Sequence, residues 1–140
     1  MVGHIFAPIA VAELYDKISI LEIKMERIED ASKLSNVGAE LELLNKIAME
    51  LDCSKDEKVM QLRNELKAVN EAIWDAENLV RKVAGEEGFG ESFASVARLT
   101  YSSNDRRAAI KRSLNLLSGS RIVEEKSHSD RPRGPDHRRR

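Results

Sequence analysis

The chain has 140 residues, 41% hydrophobic, 34% charged and 4% aromatic, with seven glycines, three prolines and a formal net charge of −1. That length predicts one domain able to bury a core, and so few turn residues among so many charged and aliphatic ones exclude a β-sandwich or barrel and point to long helices. A disulfide framework is excluded as well, because Cys53 is the sole cysteine.

The longest apolar run, Ile5 to Ala12, falls far short of the roughly 20 residues that cross a bilayer. No Lys or Arg precedes it, so it does not read as a secretion signal; a cytoplasmic protein without membrane contact is the expectation. The first helix is predicted after Pro8, a residue tolerated in a first turn. Its apolar positions Val11, Leu14, Ile18, Leu21, Met25 and Ile28 alternate spacings of three and four, a stripe made to face a bundle.

A polar break is expected around Ser32 to Asn36, although the stripe resumes at Leu34, Val37, Leu41, Leu44, Ala48 and Leu51. After a connection at Cys53 to Lys55, Ser54 is the predicted N-cap, with Glu57 as its capping-box partner. The third stripe runs through Val59, Leu62, Leu66, Val69, Ile73, Ala76, Val80 and Val83, a helix about 40 Å long at ~1.5 Å per residue. Gly85, Gly88 and Gly90 end it. The fourth helix is predicted from Glu91 or Ser92 to about Leu117, closed by Gly119.

Four amphipathic stripes must bury one another, so the predicted fold is mainly α: an antiparallel bundle of three to four long helices over residues 1–126. A short two-stranded pairing of Val2–Ala7 with Ser120–Lys126 is a further expectation. Residues 127–140 carry five Arg against Asp130 and Asp136 and read as a disordered basic tail. Without them the body holds 18 basic and 22 acidic residues, net −4, a sign that disfavours nucleic acid.

The informative irregularity lies in the fourth stripe: Phe93, Val96, Thr100, Ser103, Arg107, Ile110, Leu114 and Leu117 are apolar at both ends and polar in the middle. An unpaired guanidinium cannot be buried cheaply, so Arg107 must meet a carboxylate, reach solvent or await an anionic ligand. Tyr101, Asn104, Asp105 and Lys111 lie within the same turns. Tyr15, Ser19, Glu22 and Glu26 share one line of helix one, and Asn70, Trp74, Glu77 and Arg81 one line of helix three. Solvated amphipathic edges would look the same.

The segments DKISILEIK (16–24), NDRRAAIK (104–111) and GSRIVEEKS (119–127) resemble those of a family of small bacterial all-helical proteins of unknown function. The resemblance covers about residues 2 to 128 and leaves the Arg-rich tail outside it. It implies a helical protein connected with surface-glycan biosynthesis. Leu14 to Lys24 also resembles the opening helix of all-α chorismate mutases. Tyr15 and Ala31-Ser32 stand where those enzymes carry carboxylate-binding arginines, which speaks for geometry more than activity.

No catalytic set can be assigned. His4, His128 and His137 form no ligand set, Glu26 and Glu29 give one ExxE where a pyrophosphohydrolase needs paired acidic helices, and no phosphate loop is present. No cofactor or metal is expected. The predicted function is an accessory protein that binds an anionic small molecule or a protein partner through a polar seam of Glu22, Trp74, Glu77, Arg81, Tyr101, Asn104, Asp105, Arg107 and Lys111. The alternative is a small enzyme acting on a phosphorylated or carboxylated metabolite. Long stripes of this kind also extend into homodimer interfaces.

Overall fold

The structure, a computed structural model, describes residues 3–86 and 88–125. It comprises four helices, α1 (Val11–Arg27), α2 (Ala31–Met49), α3 (Glu57–Glu86) and α4 (Glu91–Ser118), with a 3₁₀ turn, Asp52–Lys55, between α2 and α3. The described terminal segments carry no strand, so the expected pairing of the ends does not form among these residues. Val2, Lys126 and the tail 127–140 lie outside the described residues.

The polar cluster at Ser32–Asn36 does not break the chain. The break falls at Ile28–Asp30, where Asp30 leaves the helical region and its carboxylate accepts from the Lys33 N–H at 3.0 Å. Aspartate is a strong N-cap because its side chain replaces a missing backbone acceptor, whereas Ser32, Ser35 and Asn36 lie exposed on the outside of α2. The same competition moves the start of α3. Ser54 is absorbed into the 3₁₀ turn, and Asp56 caps the helix by accepting from Lys58 and Val59 N–H at 2.9 and 3.1 Å.

Helix α1 packs against each of the other three. Its neighbours pair antiparallel as α1/α2 and α3/α4 hairpins, and one apolar cluster joins Leu14, Ile18, Ala48, Val59, Leu66, Val69, Ile110 and Leu114. The α3/α4 hairpin outruns α1: residues 77–86 and 91–109 contribute no fully buried side chain. The far part of the hairpin is a two-helix arm with one face of each helix in water.

The N-terminus of α1 is completed by the far end of the chain. Ala10 at the N-cap offers no side-chain acceptor, and a helix end needs partners for its first N–H groups. They come from residues more than a hundred positions away: Asn115 Oδ1 accepts from the Ala12 N–H at 2.8 Å, and Ser120 Oγ accepts from the Val11 N–H at 3.2 Å. Ser120 reaches this place because Gly119 turns the chain with φ 71°, a left-handed conformation suited to glycine. Asn115→Ala should therefore cost about 2 kcal/mol in urea unfolding, since it strands a buried N–H, and Ser120→Ala about 1 kcal/mol. Two neutral variants would show that water caps this end as well as the side chains do.

Candidate functional site

Arg107 meets a carboxylate. It is that of Asp16, on α1, only 3% exposed. Arg107 Nε donates to Asp16 Oδ1 at 3.1 Å and Nη2 donates to Oδ2, a two-pronged pairing. Asn70 on α3 donates to Asp16 Oδ1 at 2.8 Å and to Ser19 Oγ at 2.7 Å, and Ser19 in turn donates to the Asp16 backbone carbonyl. Lys111 Nζ lies 3.5 Å from Asp16 Oδ2, donates to Glu13 and lies 3.3 Å from Glu124.

One buried charge thus binds three helices together, and the three segments that carried the family resemblance all feed it. Asp16 and Ser19 belong to the first, Arg107 and Lys111 to the second, and Glu124 to the third. Beyond Gly119 the chain runs back along α4, so that Glu125 also pairs with Arg112 at 2.8 Å.

Burial alone would push the Asp16 carboxyl up, but hydrogen bonds from Arg107 and Asn70, with the charges of Arg107 and Lys111, outweigh it and hold the group below the ordinary aspartate range. The bond from Asp16 raises Arg107. Burial works against the Lys111 charge, yet Glu13, Asp16 and Glu124 leave it raised, and Lys111 in turn lowers Glu124. Asp16, Arg107, Lys111 and Glu124 are each driven toward the charged form.

The other predicted seam residues do not converge on this point. Asn104 donates back to the Thr100 carbonyl of its own helix at 3.0 Å. Asp105 is half-buried, and Tyr101 is 54% exposed on the arm. Glu77 and Arg81 are exposed there as well, and Trp74 is half-buried on α3. Glu22 lines a cleft of about 240 Å³ between α1 and α3, 3.8 Å from Lys67, which also pairs with Glu26 at 2.6 Å.

Asp16 and Glu13 lie off both the polar line Tyr15, Ser19, Glu22, Glu26 and the single apolar stripe expected on this helix. As the helix that touches all the others, α1 buries a second one, Ala12, Asp16, Ser19 and Ile23, whose four-three-four spacing was readable. The same cleft shows a further polar feature. The Tyr15 ring, fully buried, carries the Arg63 guanidinium at 4.4 Å from its centroid, and its hydroxyl lies 3.4 Å from Cys53 Sγ. Burial, then the Cys53 contact, pushes the Tyr15 phenol far up. No group of three or more His, Cys, Asp or Glu residues suited to a metal occurs among the described residues.

These features define an all-helical bundle fastened by an internal ion cluster. The chain matches the model of DUF6165, a family of unknown function, over residues 6–136, and belongs to that family. The match runs beyond residue 128, where the motif resemblance stops, and takes in much of the Arg-rich segment. No curated protein and no solved structure matches the chain.

A carboxylate held low in the folded state stabilises it at neutral pH, because on acidification the unfolded chain takes up the proton first. The Asp16 contribution should be complete above about pH 5 and fade as the pH drops below the ordinary aspartate value of about 3.9. Asp16→Asn should cost about 3–5 kcal/mol at pH 7 by leaving Arg107 and Lys111 unmatched, and should flatten the acid limb of stability measured by urea unfolding. An acid limb as steep in the variant as in the wild type would mean that other carboxylates govern it.

Proposed function

We propose that this protein is a non-catalytic accessory module that recognises an anionic small molecule or a partner protein, within the surface-glycan setting that the family resemblance implies. The observation carrying the non-catalytic part is the closure of the Asp16 cluster. A general acid or base needs a proton affinity brought toward the working pH and an open position beside it. Asp16 is driven the other way, and its acceptor positions are already filled by Arg107, Asn70 and Lys111.

The seam cations act as struts in this reading, and recognition falls to groups outside them. Full-length protein incubated with sugar phosphates, nucleotide sugars and dicarboxylates should show a raised melting temperature with at least one of them and no product by ³¹P or ¹H NMR. Turnover that disappears in Arg107→Lys would overturn the accessory reading in favour of the enzyme.

Self-association belongs to the same proposal. Ile5 and Phe6, 85% and 89% exposed, line with Leu14, Leu44, Ile47 and Leu51 a groove of about 510 Å³ that holds no charged side chain. A second copy suits it. Two net-negative bodies meet there without like charges in contact, and Phe6, an exposed wall of the groove, would meet the same surface of the second copy, as a two-fold interface requires. Light scattering should give a dimer mass that falls to the monomer value in Phe6→Asp. A monomeric wild type at high micromolar concentration would exclude it.

A further inference from the structure

We infer that the corner formed by the end of α2, the 3₁₀ turn and the start of α3 is a binding site for a small organic anion, a carboxylate or phosphate group held by Arg63 and Lys55. The inference rests on the accessory reading above and gives it a ligand class and a place. The corner holds an open depression of about 380 Å³ lined by Asn45, Ala48, Met49, Ser54, Lys55 and Arg63, a volume in the range of small-molecule sites. Two of its six lining residues are cations and none is acidic.

The cluster at Asp16 shows how this chain treats a cation with an internal purpose: it is met by carboxylates. Here the opposite holds. Among the described residues neither Arg63 nor Lys55 forms an ion pair, and the Arg63 N–H groups and the Asn45 amide have no hydrogen-bond partner, while the Ser54 hydroxyl makes one long bond of 3.5 Å to the Met49 carbonyl.

Arg63 is nevertheless held in place. Its guanidinium carbon sits 4.4 Å from the centroid of the Tyr15 ring, which is buried and fixed at its hydroxyl by Cys53. A cation–π contact draws on the guanidinium charge and uses none of its N–H groups in a hydrogen bond. A forked donor whose rotamer entropy is already spent is the form that recognises carboxylate and phosphate.

Arg63 also borders the cleft between α1 and α3, but an anion entering there would face Glu22 and find Lys67 already paired. The α2 side offers no such repulsion. Ala48 and Met49 give it an apolar wall, so the anion is expected to carry a compact organic body.

The test is a titration of full-length protein with citrate, glucose 1-phosphate, inorganic phosphate and, as the uncharged control, glucose, followed by calorimetry and ¹H–¹⁵N NMR. Citrate or glucose 1-phosphate should shift the amides of Met49, Ser54 and Lys55 while glucose does not, and the stronger of the two identifies the head group. Inorganic phosphate should bind more weakly for lack of the organic body.

Arg63→Ala should weaken binding about tenfold or more, as loss of a charge-assisted bond does. Lys55→Gln, an exposed change that spares the Tyr15 packing, should weaken it severalfold. Raised salt should weaken wild-type binding in parallel. Failure of all three anions to bind the wild type, or undiminished binding in Lys55→Gln together with a folded Arg63→Ala, would overturn the site and leave the accessory reading standing. Conversion of glucose 1-phosphate to a product would overturn that reading instead.

Discussion

The buried Asp16 carboxylate is the constraint on which the rest of the bundle depends. A carboxylate taken out of water costs several kcal/mol unless its partners stand in place, and here they come from α3 and α4. Apolar stripes of Leu, Ile and Val tolerate sliding, since a shift of one turn sets another aliphatic group in the same gap. A slide of one turn displaces Arg107 by about 5.4 Å and strands the charge. The ion cluster therefore penalises the slipped packings that hydrophobic burial alone would accept, and it fixes the height of α3 and α4 against α1.

The caps at the other end of α1 work in the same direction. A helix beginning at an alanine N-cap has no local partner for its first amides, so α1 is complete only when Asn115 and Ser120 arrive from the end of α4. Local helix formation and global closure are thereby coupled. The left-handed turn at Gly119 serves both, because it delivers Ser120 to the cap and sends the following chain back so that Glu124 reaches Lys111.

Much of this was legible before any coordinates. Three-four spacing located all four helices, the glycine at 119 marked the stop of the last, and the polar interruption in the fourth stripe singled out Arg107 as a cation in need of a partner, with Lys111 in the same turns. What escaped has two physical causes. Cap choice is a contest between neighbouring side chains that differ by about 1 kcal/mol, and so Asp30 and Asp56 displaced the break at Ser32–Asn36 and the cap at Ser54. Which polar line faces inward is set by how many neighbours a helix has. With three neighbours, α1 buries Asp16 as well as its aliphatic stripe. With one neighbour, the arm leaves Glu77, Arg81 and Tyr101 in water although their spacing is as regular as any in the core.

The distribution of satisfied and unsatisfied charge gives the functional argument its direction. A polar group inside a fold is neutral in function once its bonds are all internal, for any ligand must break them before it can bind. Lys111, surrounded by Glu13, Asp16 and Glu124, is in that condition, and Arg107 is committed to Asp16 through Nε and Nη2. Arg63 is not: the ring beside it holds it in place without consuming its donors. Pre-orientation combined with unused hydrogen-bonding capacity separates a recognising arginine from a structural one, and that criterion is what places the proposed recognition site near the turn between α2 and α3 rather than at the Asp16 cluster.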